Sequence, residues 1–62
     1  MNSDNKDRID RVIKFIEENS SQNLNLDILA GVSSFSNYHF TRIFASIVGL
    51  TPIVFVNRVR LQ

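Results

Sequence analysis

The decapeptide from Phe35 to Phe44, FSNYHFTRIF, concentrates the side chains of this chain that can do recognition chemistry. Hydroxyls (Ser36, Thr41), an amide (Asn37), a phenol (Tyr38), an imidazole (His39) and a guanidinium (Arg42) are interleaved with Phe40, Ile43 and Phe44. At about 100° per helical residue, Phe40, Ile43, Phe44 and Ile47 fall in one arc. Tyr38, Thr41, Arg42 and Ala45 fall in the opposite arc, with His39 and Ser46 on one flank and Asn37 on the other. The apolar stripe is complete without Tyr38, Thr41 or Arg42. A polar arc of this kind can read the edges of bases. A guanidinium donates twice to guanine O6 and N7, the commonest specific contact. Tyr38 can meet a thymine methyl or a phosphate, and Thr41 a base edge. Ser36, Asn37 and the free N–H groups at the helix start can hold a phosphate, and His39 can add another such contact from the flank. Spacing alone leaves the ordinary alternatives open: every amphipathic helix has a solvated side, and His39 can equally pack or cap at the flank.

Periodicity predicts four helices and no strand, an all-α chain. The first, over about residues 4–20, carries Ile9, Val12, Ile13 and Ile16 at i, i+3, i+4, i+7, one buried stripe. Asp4–Arg8, Asp7–Arg11 and Asp10–Lys14 each set an acid four residues before a base, worth a few tenths of a kcal/mol of helix support. Ser3 or Asp4 is the expected cap. A second, over about 26–32, is capped by Asn25, turns Leu26, Leu29 and Ala30 inward and has Asp27 in its first turn, where the dipole favours an acid. Gly31 either permits a close approach or is a weak spot. The third, about 37–48, starts from Ser36 and stops at Gly49 as a left-handed C-terminal residue. The fourth, about 52–62, opens with Thr51 as cap and Pro52 at the first helical position. Phe55, Val56 and Val59 form its first stripe. Val54 and Leu61, seven residues apart, form a second on nearly the opposite side. A helix apolar on two sides needs two partners. The middle pair of short helices joined by a tight turn fits a helix-turn-helix, the first crossing the DNA backbone and the second entering the major groove.

Composition narrows the classes. Sixty-two residues make one small domain or part of one, with marginal stability. There are no cysteines and a single histidine, so neither disulfides nor a structural zinc site is expected. No glycine-rich phosphate loop and no paired nucleophile and base occur, so neither catalysis nor a cofactor is expected. No apolar run approaches a membrane span and the polar start is unlike a signal peptide; a cytoplasmic location is expected. The net charge of +1 is unevenly spread: residues 1–22 carry four basic and five acidic side chains, residues 23–62 three arginines and one aspartate.

The stretch LNLDILAGVSSFSNYHFTRIFASIVGLTPIVFVNRVRL resembles the first helix-turn-helix of the AraC/XylS family of bacterial transcription regulators. Leu24, Leu26, Leu29-Ala30, Phe35-Ser36, Tyr38-His39-Phe40, Arg42, Phe44, Gly49, Thr51-Pro52, Phe55 and Arg58-Val59-Arg60-Leu61 carry the likeness, and RVIKFIEEN before them is similar to the family's first helix. The resemblance implies a homeodomain-like core of three helices followed by a linker helix, double-stranded DNA as partner, and base contacts from Tyr38, Thr41 and Arg42. It also implies a second helix-turn-helix, absent from this chain, with Val54 and Leu61 facing that half or another subunit. Ala45 and Ser46 stand where the family usually has a basic residue or two. That difference, the low net charge and the apolar surface at Ile53, Val54 and Leu61 support an alternative from another class, a helical protein-interaction module or remnant associating through the last helix.

Overall fold

Each of the four periodic stretches becomes one helix in the computed structural model, which describes residues 2–61, with side chains from residue 4 onward. Among the described residues there are four helices and no strand: α1 (Asn2–Glu18), α2 (Leu26–Ser33), α3 (Asn37–Val48) and α4 (Pro52–Arg60). None is long and apolar enough to cross a membrane; α3 and α4, which taken together would have the length and composition of a broken span, are bent by 59° at their junction.

The ends of the helices are set by local hydrogen bonds. Asn25 accepts from the Ile28 N–H at 2.9 Å to start α2, and Ser36 accepts from the His39 N–H at 3.2 Å to start α3. Gly49, at φ 87°, closes α3 in the left-handed region, where a residue without a β-carbon is unstrained. Expected ends are corrected at α1 and α4. α1 already includes residues 3 and 4, so neither caps it; Asp4 lies in the first turn, where its charge still favours the helix dipole, and the Ser3 side chain lies outside the described ones. α1 also stops at Glu18 rather than about 20: the Phe15 carbonyl accepts from both the Asn19 N–H at 3.0 Å and the Asn19 side-chain amide at 2.9 Å, and the chain then turns through a bond from the Gln22 N–H to the Asn19 carbonyl at 2.9 Å. Thr51 occupies the cap position of α4 without making a side-chain capping bond, and Pro52, buried, sets the first turn. α4 ends at Arg60, with Leu61 as its C-cap.

Ile9, Val12 and Ile16 of α1 meet Leu29 and Ala30 of α2, Phe40 and Phe44 of α3 and Val56 of α4 in one buried cluster. The aromatic rings interlock: Phe40 and Phe44 lie 5.6 Å apart at 59°, and Phe55 meets Phe44 at 5.6 Å and 68°, tilted arrangements that aromatic quadrupoles favour. Ile13 and Phe15 cover the margin, half-buried. Ile47, expected in the core arc, is 42% exposed; Val48 packs against the cluster instead. The polar start of α1 faces that end of α3, and an open groove lined by Asn5, Lys6, Ile43, Ser46 and Ile47, with a volume of about 350 Å³, remains between them.

Surface charges pair differently from the expected pattern. Arg8 does meet Asp4 at 3.3 Å, but Asp10 turns back to Lys6 at 3.1 Å rather than forward to Lys14, and Arg11 reaches across to the Val32 carbonyl at 3.5 Å. Gly31 is resolved as a weak spot: a β-carbon there would meet nothing within 4 Å.

Candidate nucleic-acid interface

The turn between α2 and α3 is built from three serines with separate tasks. Ser33 is fully buried; its hydroxyl donates to the Ala30 carbonyl at 2.7 Å and accepts from the Phe35 N–H at 3.1 Å. Ser34 takes the left-handed conformation, φ 66°, reversing the chain. Ser36 caps α3. Phe40 and Phe44, both fully buried, then fix the rotation of α3 about its axis, and the opposite arc necessarily faces outward.

On that arc Tyr38 is 72% exposed and Arg42 is exposed beside it. Arg42 Nη1 donates to the Tyr38 hydroxyl at 3.1 Å, with the guanidinium carbon 5.7 Å from the ring centroid. Thr41 is half-buried and its hydroxyl donates to the Asn37 carbonyl at 2.9 Å, which leaves its methyl and oxygen lone pairs to face outward. Tyr38, Thr41 and Arg42 therefore share one surface.

The start of the helix is divided between two flanks. On one, the Asn37 amide donates to the Asp27 carboxylate of α2. This contact binds the two helices together, and it sets a negative charge where a phosphate had been expected to reach Asn37. On the other flank the His39 ring lies 5.0 Å from Phe35 at 55°, and the Arg8 guanidinium of α1 stands 4.9 Å from the centroid of the same ring. A cation over an aromatic face is attracted by its quadrupole, so Phe35 holds Arg8 near His39 at the start of α3. The packing alternative for His39 is present here, on a residue that is exposed as a whole.

Asp27, Arg8 and the Phe35 ring are participants that spacing did not single out for the site. Arg8 carried a signal only for its helical partner Asp4, and nothing in a single-helix pattern places it against a residue of the α2–α3 turn. The other expected contact surface, Val54 of α4 and Leu61 at its C-cap, is exposed, at 44% and 85%.

Comparison of the chain with protein-family models, with curated proteins and with solved structures finds no match.

Proposed function

We propose that the chain is a sequence-specific DNA-binding module of a bacterial transcription regulator, acting in the cytoplasm, with α3 reading one major groove as half of a bipartite unit. The observation that carries this reading is the outward arc of α3. The core is filled without Tyr38, Thr41 and Arg42, and these three residues present hydrogen-bonding groups and an aromatic edge on one exposed surface. The residue-by-residue likeness to AraC/XylS regulators supports the same positions. In this reading α2 crosses the phosphate backbone, and Ser36 and the N–H groups at the start of α3 hold a phosphate. His39 stands as a phosphate contact on the side away from Asp27, with the Arg8 guanidinium, which also meets Asp4, held nearby, and Asn37 serves mainly as the tie to α2. Arg42→Ala costs about 1–3 kcal/mol of discrimination at one base pair. Fluorescence anisotropy on a duplex selected by the wild-type chain, at matched salt, measures it; equal binding by the two chains would remove the groove-reading role.

A second reading is favoured by the exposed stripe of α4. Val54 on α4 and Leu61 at its C-cap are both exposed, with Ile53 next to Val54 at 41% exposure. Apolar surface on a helix already packed on its other side suits association, either with a second helix-turn-helix unit or with another subunit. This surface extends the DNA-binding reading if both faces work, and replaces it if only α4 does.

A further inference from the structure

We propose that the Asp27 carboxylate is an internal competitor of the DNA backbone: fixed between the starts of α2 and α3, it opposes the phosphate that approaches there and limits how tightly one copy holds a duplex. The inference rests on α3 lying in a major groove with a phosphate at its start, and adds what works against that contact. Asp27 lies in the first turn of α2, and its carboxylate accepts from the amide of Asn37, the first residue of α3. One carboxylate therefore meets the positive ends of two helix dipoles, each of which favours an anion. Ser36 takes the His39 N–H on its hydroxyl and the Phe40 N–H on its carbonyl. The N–H groups of Asn37 and Tyr38, the first two of α3, have no partner within the helix. A phosphate drawn to that end meets Asp27 beside it, held in place by Asn37.

The neighbouring cations do not cancel this charge. Arg8 stands over Phe35 on the other flank and already meets Asp4 at 3.3 Å. Arg42 lies a turn further along α3, with one N–H given to Tyr38. A net charge of +1 leaves little positive potential elsewhere to mask a carboxylate. Distance then decides which acid matters. At 0.1 M salt an exposed charge is felt over about 10 Å, so an acid beside the phosphate counts and one on the far end of α1 does not. Glu17 supplies that comparison. It is exposed on α1, nine residues after Arg8 and so about 13 Å along the helix from the residue that stands near the start of α3.

Fluorescence anisotropy with two labelled duplexes of unrelated sequence, titrated from low salt to about 0.1 M with the wild-type, Asp27→Asn and Glu17→Gln chains, tests this. Each variant removes one negative charge, and asparagine keeps an oxygen for the Asn37 amide. Circular dichroism checks that the helices are kept, with Asp27→Ser as a second neutral variant if the asparagine chain loses them. Asp27→Asn is expected to bind about two- to tenfold more tightly than wild type, the effect of removing a like charge a few ångströms from a phosphate in water. The factor is the same on both duplexes, because a phosphate contact carries no sequence, and it shrinks as salt rises. At 0.1 M salt Glu17→Gln binds as the wild type does. Equal affinity of Asp27→Asn and wild type, or a gain at 0.1 M matched by Glu17→Gln, overturns the competition while groove reading stands. Weaker binding by a folded Asp27→Asn chain overturns it as well and makes Asp27 a positioning residue. A gain on one duplex alone overturns it in favour of base reading by Asp27. If no chain binds either duplex even at low salt, groove reading falls and the inference falls with it.

Discussion

Ser34 is the one non-glycine residue with positive φ among those described, at φ 66° and ψ 18°. The β-carbon of an L-residue in that conformation crowds the following carbonyl and costs about 1–2 kcal/mol, part of which a glycine returns as unfolded-state entropy. Gly31 presents the opposite case, a glycine inside a helix with open space where a side chain would stand and a cost of about 1 kcal/mol relative to alanine. Ser34→Gly and Gly31→Ala are each expected to stabilise the chain by about 0.5–1 kcal/mol, raising Tm by roughly 2–8 °C apiece for a domain of this size. Thermal unfolding followed by circular dichroism measures both; a fall in Tm for either would mean that the side chain or its absence has a role the backbone does not reveal. At this scale the sequence is informative about partners close in the chain. Asn25 with Ile28, Ser36 with His39 and the left-handed Gly49 all follow from rules that act within one helical turn. The contacts of Asn37 with Asp27 and of Arg8 with Phe35 do not, because periodicity says which arc a side chain occupies and not which neighbour stands opposite it.

Among the elements, α3 was the most legible: its expected limits, 37–48, are those observed, since a strong cap, a full apolar stripe and a terminal glycine agree. α1 was misjudged by two residues at each end, where uniformly polar sequence gives no contrast between the last turn and the loop. α4 carries the least legible interaction of the fold. Its Arg60 reaches back to the α1–α2 loop, donating from Nε to the Ser20 carbonyl at 3.0 Å and from Nη2 to the Gln22 carbonyl at 2.6 Å. These carbonyls lie just beyond α1, with no helical partner, and a guanidinium is well shaped to satisfy two at once. Together with buried Val56 and the Phe55–Phe44 ring contact, this clamp makes α4 part of the folded unit on one side while its other side stays exposed. Arg60→Ala is expected to cost about 1 kcal/mol, below the usual range for hydrogen bonds from a charged group because the contact is exposed, and to lower Tm by about 4–8 °C. An unchanged Tm would show that the clamp is formed at no net gain.

For the whole molecule, size and charge limit what one copy can do. It measures 32 × 19 × 18 Å and offers one helix of 12 residues, α3, for the proposed groove reading, enough for one stretch of major groove. Half-sites repeat about 34–36 Å apart along a duplex, so a second reading unit is needed to engage two. The net charge of +1 and the carboxylate of Asp27 beside the start of α3 leave few phosphates neutralised, and binding by this chain alone is expected to be weak and to fall as salt rises. The overall all-α architecture was legible from periodicity, whereas Ile47 was not, because its exposure depends on the polar start of α1 across the groove rather than on its own helix. The most direct measurement is a titration of the isotope-labelled chain with a mixed-sequence duplex at low salt, followed by backbone amide NMR. Shifts concentrated at residues 36–42 and fading as salt is added are predicted. No shift there, with line broadening along residues 53–61 even without DNA, would contradict groove reading and make α4 the working surface of the molecule.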